Sequence, residues 1–157
     1  MNASVDDFYG LLVPLQAERL VIPRGCVAEV LAWQSPTPMV GAPAWYVGSV
    51  LWNGRVVPLI TFEATLGQSA PAPSGRTRIV VIRSLGTLLS AGHFAVMAQG
   101  FPQLVRLTTE AVTTDARRSF PDWSPVLAAI QVLNEPALIP DLEYLERLIS
   151  EETSAYV

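Results

Sequence analysis

Asn53-Gly54 lies between two apolar runs, Gly48-Ser-Val-Leu-Trp52 and Arg55-Val-Val-Pro-Leu-Ile60. Asn-Gly at such a junction is the strongest short-range hairpin signal, because both central residues of the tight turn need positive φ. This stretch therefore commits the chain to antiparallel β structure. Pro58 has no N–H to give to a sheet, so its strand has a free edge or a bulge there.

The signature echoes once in the second half. Gly48 to Glu63 reads apolar strand, Asn-Gly turn, apolar strand, Thr61-Phe62-Glu63. Ala128 to Glu143 reads apolar strand, Asn134-Glu135 turn, apolar strand, Asp141-Leu142-Glu143. One constant register pairs Val50 with Ile130, Gly54 with Asn134 and Phe62 with Leu142. Further strands are expected at Tyr9–Leu15, Leu20–Pro23, Val27–Trp33, Arg78–Arg83, Phe94–Ala98 and Leu104–Leu107. In the third of these, Val27, Glu29 and Leu31 should share one face, and Ala28, Val30 and Ala32 the other. Gln34 to Pro43 reads as a proline-rich loop, and Thr108 to Pro125 as an irregular surface excursion. Asp141 is a candidate N-cap for a helix with Leu142, Leu145 and Ile149 on one stripe, and Glu143 precedes Arg147 at ion-pair spacing. Many short strands with regular turns point to barrels. The small, polar stretch Gly67–Gly75 reads as a connector, so one domain (1–157) is expected as subdomains 15–66 and 76–133, with both terminal segments packing across.

Composition removes several functions. With 157 residues, 50% hydrophobic and 15% charged, the chain is too apolar for disorder. Its apolar stretches are far shorter than the roughly 20 residues a membrane helix needs. All ten basic residues are arginine, and without lysine there is no P-loop, kinase strand lysine or pyridoxal Schiff base. One cysteine (Cys26, expected as buried filler) and one histidine (His93, expected at a strand start) exclude zinc clusters and an HExxH helix. No G-x-S-x-G elbow accompanies His93. A net charge of −4 argues against a nucleic-acid partner. Met1–Asp7 lacks the basic start and apolar run of a secretory signal, so a cytoplasmic location is expected. Asp6-Asp7 and Glu151-Glu152 read as solvated tails, and Arg117-Arg118 as a solvated loop. Trp33, Trp45, Trp52 and Trp123 are core residues or interface anchors. No catalytic residue, metal or cofactor is expected.

These residues resemble a known family. VGSVLWNGRVVPLITF resembles the core motif of CheW-like domains, in which an apolar strand, an Arg-Gly turn and a "(V/L)PV(I/V)DL" strand follow one another. LLVPLQAERLVIP resembles the family's opening hairpin, Val27-Ala-Glu29-Val30-Leu31 its "V-x-E-(V/I)" strand, and FAVMAQGFPQLVRLTTE its second-half strands. LAAIQVLNEPALIPDLEYLERLI resembles its closing strand pair and helix. Asn53 stands where the family has arginine, and Thr61-Phe62 where it has Asp-Leu. Those departures look most like ChpC-type accessory adaptors of chemosensory systems that control type IV pili and twitching motility.

The resemblance implies a mainly β fold of two SH3-like five-stranded barrels with a C-terminal helix. It implies a non-catalytic scaffold, at membrane receptor arrays but not inserted in the membrane. Its partners would be the regulatory domain of a CheA-type histidine kinase and the cytoplasmic tip of a chemoreceptor. Val27, Glu29 and Val30 would face the kinase, and Gly48, Asn53, Arg55 and Leu104 the receptor. The other reading is a small-molecule-binding β-barrel, which requires a deep apolar cavity.

Overall fold

A computed structural model of the chain describes residues 8–154; Asp6 and Asp7 lie outside the described residues. The strands are β1 (Phe8–Pro14), β2 (Arg19–Pro23), β3 (Val27–Ala32), β4 (Tyr46–Trp52), β5 (Arg55–Ile60), β6 (Arg78–Arg83), β7 (His93–Ala98), β8 (Gln103–Leu107), β9 (Val112–Thr114), β10 (Val126–Val132) and β11 (Glu135–Pro140). The α-helices are α1 (Phe62–Thr65) and α2 (Leu142–Ser154), and a 3-10 turn covers Arg24–Cys26.

The strands form two sheets, ordered β3-β6-β7-β5-β4 and β8-β1-β2-β11-β10-β9. The first sheet curls until its end strands meet. Trp52 Nε1 on β4 donates to Glu29 Oε1 on β3 at 2.9 Å. Inside it lie Val50, Val57, Leu59, Ile79, Val81, Ala95 and Met97. Inside the second lie Leu12, Val21, Val105, Ile130, Val132 and Ala137. Side chains fill both interiors, where a ligand-binding barrel needs a cavity. A third core lies between the barrels, drawing Val13 and Ile22 from one sheet and Ile60, Val80 and Phe94 from the other. Leu142, Leu145 and Ile149 of α2 close it, on the stripe expected from their helical spacing. Asp141 Oδ1 accepts from the Tyr144 N–H at 3.1 Å, the N-cap bond. The Arg147 guanidinium lies 5.6 Å from the centre of the Tyr144 ring.

The expected pair of small β-barrels is present, with four differences. First, the second sheet has six strands. Val112-Thr-Thr114 pairs with β10 inside the stretch read as irregular, its β-branched residues suiting an edge strand. Second, the tight turn after β10 is Leu133-Asn134 (φ 52° and 66°), one residue earlier than expected. Third, a bulge between Val27 and Glu29 breaks the alternation of β3. Val27 therefore packs on the core between the barrels, while Ala28 joins Leu31 on the core inside one barrel. An extra residue in one strand shifts every side chain before it to the opposite face.

Fourth, Gly67–Gly75 does not separate two barrels; it joins α1 to β6, and both β5 and β6 belong to the five-stranded sheet. Each barrel takes three long strands from one half of the chain and a hairpin from the other. Strands β3, β4 and β5 are completed by the hairpin β6–β7, and β8, β10 and β11 by the hairpin β1–β2. The internal echo has a structural counterpart. Bulges fall at Tyr46/Gly48 and Val126/Ala128. Positive-φ pairs fall at Asn53-Gly54 and Leu133-Asn134.

Each half also ties its own leading hairpin with a buried carboxylate. Glu63 of α1, 1% exposed, accepts from the Gln16 N–H at 3.0 Å in the β1–β2 turn. Glu146 of α2, 2% exposed, accepts from the Leu85 N–H at 2.7 Å and the Gly86 N–H at 3.4 Å in the β6–β7 loop. Buried carboxylates need such partners.

Candidate functional site

The turn at Asn53-Gly54 has φ of 51° and 75°, the conformation that made the dipeptide a hairpin signal. It sets Trp52 directly opposite Arg55. The Trp52 indole rests on His93, with ring centres 4.8 Å apart at 58°, and its N–H reaches Glu29. Arg55 Nη1 donates to the Ala91 carbonyl at 3.3 Å. Glu29, Trp52, Arg55 and His93 thus converge from β3, β4, β5 and β7 at one end of the first barrel. The Glu29 carboxylate and the Arg55 guanidinium are exposed, and the Trp52 indole and His93 imidazole are half-buried.

The arrangement has charges of both signs around an aromatic centre. Chemically it can dock a polar surface of complementary charge. At the far end of the hairpin, burial first, and then the Glu152 carboxylate, raise the Tyr46 phenol above its ordinary 10.0.

The residues singled out from the sequence do not all meet. Glu29 and Arg55 both neighbour Trp52, and Asn53 follows it in the turn. Val30 is half-buried opposite Val80. Val27 is half-buried, and its carbonyl accepts from Arg83 Nη1 at 2.9 Å. Gly48 is buried under the proline-rich segment, and a Cβ there would stand 2.3 Å from the Thr37 carbonyl oxygen. Leu104 lies on β8 of the other sheet, opposite Leu11 and 49% exposed.

Sequence reasoning missed the joining role of Trp52. It also missed the exposed cross-strand pair Leu51 and Val56. The hairpin is apolar on both faces, so its alternation carries no sign of which face is solvated. Trp33 and Trp45 pack on cores, whereas Trp123 is 57% exposed. Cys26 is half-buried at the edge of the core between the barrels. Arg118 is not simply solvated. It pairs with Glu18 at 2.5 Å and lies over Phe120, tying the segment after β9 to the β1–β2 turn. Among the described residues, no group of three or more His, Cys, Asp or Glu could hold a metal ion. No helix among them is long and apolar enough to cross a membrane.

Comparison with known proteins gives three findings. The chain is similar to "Chemotaxis protein CheW" of Rhizobium meliloti (strain 1021), with 38% identity over 69 residues, 41% of this chain and 44% of that protein. The match thus spans less than half of that relative's length. The fold is similar to that of the "scaffolding protein TtCheW from Thermoanaerobacter tengcongensis", with a TM-score of 0.73 over 88% of this chain and 87% of that one, at 16% identity. The sequence pattern of the CheW-like domain matches residues 9–149. That span takes in both barrels, the exchanged hairpins and most of α2, and the chain belongs to the CheW-like domain family.

Proposed function

We propose that this chain is a non-catalytic adaptor that couples the cytoplasmic tip of a chemoreceptor to the regulatory domain of a CheA-type histidine kinase. The observation that carries the reading is the family match over residues 9–149, together with a similarity to a chemotaxis protein. The exposed cluster around Trp52 supports it, because its residues suit contact and not turnover. Glu29 is the side chain that β3 offers a kinase, with Val27 and Val30 setting the strand beneath it. Asn53 and Arg55 are the side chains that the hairpin offers a receptor, with Gly48 fixing its backbone. Leu104 belongs to the same surface only if the partner reaches across to the second barrel.

The accessory, ChpC-type reading, in a pathway governing type IV pili and twitching motility, is the finer part of the proposal. Asn53 supports it, since a short amide cannot replace a guanidinium at a bidentate contact. Arg55 is the nearby substitute, and its bond to the Ala91 carbonyl competes with any partner. The adaptor works in the cytoplasm, held at receptor arrays by protein contacts.

Titration calorimetry against the kinase regulatory domain of the same system tests the reading. Saturable binding is expected, at least tenfold weaker for Glu29→Arg. Trp52→Phe removes the same hydrogen bond without reversing charge, and should cost less than threefold. No binding to either the kinase domain or a receptor fragment would overturn the adaptor function. Equal loss in both variants would assign Glu29 to barrel closure and remove it from the interface.

A further inference from the structure

We propose that two copies of this chain trade halves to form a domain-swapped dimer, opening at residues 67–77. The sheet pairings carry the idea. Within residues 8–66 the strand pairs are the hairpins β1–β2 and β4–β5. Within residues 78–154 they are β6–β7, β10–β11 and β9–β10. Every other named strand pair joins one half to the other: β3 to β6, β5 to β7, β1 to β8 and β2 to β11. Neither half holds a sheet of its own beyond hairpins and their flanking strand. Isolated hairpins are marginal in water, so each half depends on the other for both barrels and for the core between them.

Nothing in those pairings requires the two halves to belong to one molecule. Residues 67–76 are exposed except for half-buried Pro71. Their hydrogen bonds are local: Gly67 N–H to Ala64, Gln68 N–H to Glu63, and Ser74 with Arg76 and Thr77. The Arg78 guanidinium adds one to the Gly75 carbonyl. All of these survive if the connector straightens in its middle. The half 8–66 of one copy can then complete the half 78–154 of the other. The dimer keeps every strand pair of the monomer and presents the Trp52 cluster twice. Exchange between the states must break both barrels, so each form is kinetically trapped once made.

The test uses the whole chain. Gly67 and Thr77, the ends of the stretch to be replaced, lie at most about 36 Å apart, the fully extended reach of the chain between them. Replacing Gln68–Arg76 with fifteen prolines inserts a semi-rigid spacer of roughly 46 Å, too long to close within one chain. Light scattering after size exclusion should show a folded dimer. A folded monomer would overturn the proposal, and so would a chain that no longer folds, because the halves would then fail to combine between molecules.

The unaltered chain gives a second measurement. Refolding from denaturant at rising concentration should yield a growing dimer fraction that persists on dilution. Monomer at every concentration would overturn the proposal. In a Cys26→Ser background, Phe8→Cys with Leu107→Cys places cysteines opposite each other on β1 and β8, from different halves. On oxidation the refolded dimer should become covalently linked between chains. Links confined within each chain would mean that the copies merely touch, and would sink the exchange.

Discussion

Gly48→Ala tests the hairpin that carries the candidate site. Gly48 has φ +147°, and an added Cβ would meet the Thr37 carbonyl oxygen at 2.3 Å and its carbon at 2.9 Å. Both are backbone atoms, so no side-chain rotation relieves the clash. Thr37 and Ser49 also exchange two backbone hydrogen bonds, at 2.8 and 2.9 Å. The proline-rich segment must peel away, losing those two bonds at about 1 kcal/mol each. Holding alanine at such a φ adds about 1–3 kcal/mol. The sum is about 3–5 kcal/mol, a large share of a stability of roughly 5–15 kcal/mol. Urea unfolding should show that loss, and thermal unfolding a fall in Tm of roughly 6–20 °C, at about 2–4 °C per kcal/mol for a chain of this size. A loss below about 1 kcal/mol, under the cost of one of those bonds, would refute the reasoning. Gly48 would then be free to act as a contact residue in its own right.

Other perturbations follow from the same structure. Leu133→Asn replaces a 65%-exposed leucine at φ 52° with a residue that tolerates this region, and should raise the urea midpoint by about 1 kcal/mol of stability; a lower midpoint contradicts the turn geometry. Glu146→Ala leaves the Leu85 and Gly86 N–H groups without their acceptor and should cost about 2–4 kcal/mol, with Glu146→Gln, which keeps an acceptor oxygen, costing less; equal losses would mean that the charge, and not the acceptor, carries the effect. The Tyr46 pKa is raised in the fold by burial and then by Glu152, so the unfolded chain ionises first. Stability is therefore full below pH 10 and falls as pH rises through that value towards the folded pKa. Tyr46→Phe should flatten this alkaline slope in pH-dependent unfolding, and an unchanged slope would assign it to other groups.

Local chemistry was legible wherever a residue type has one dominant use. Asn53-Gly54 announced its hairpin, Asp141 its cap, and the Leu142, Leu145 and Ile149 spacing the buried stripe of α2. The echo between Gly48–Glu63 and Ala128–Glu143 was likewise readable, since both copies need the same turn and the same strand burial. Long-range partnership was not legible. Nothing in Glu29 or Trp52 alone says that β3 meets β4, because the bond exists only once five strands have curled. The bulge that puts Val27 and Ala28 on different cores leaves no mark in an apolar run. Gly67–Gly75 looked like a boundary between barrels because small polar residues signal a loop. A loop's composition does not record which sheet receives the strand that follows. That choice was made by packing: each leading hairpin finds its edge in the other half, and only the tertiary structure shows the exchange.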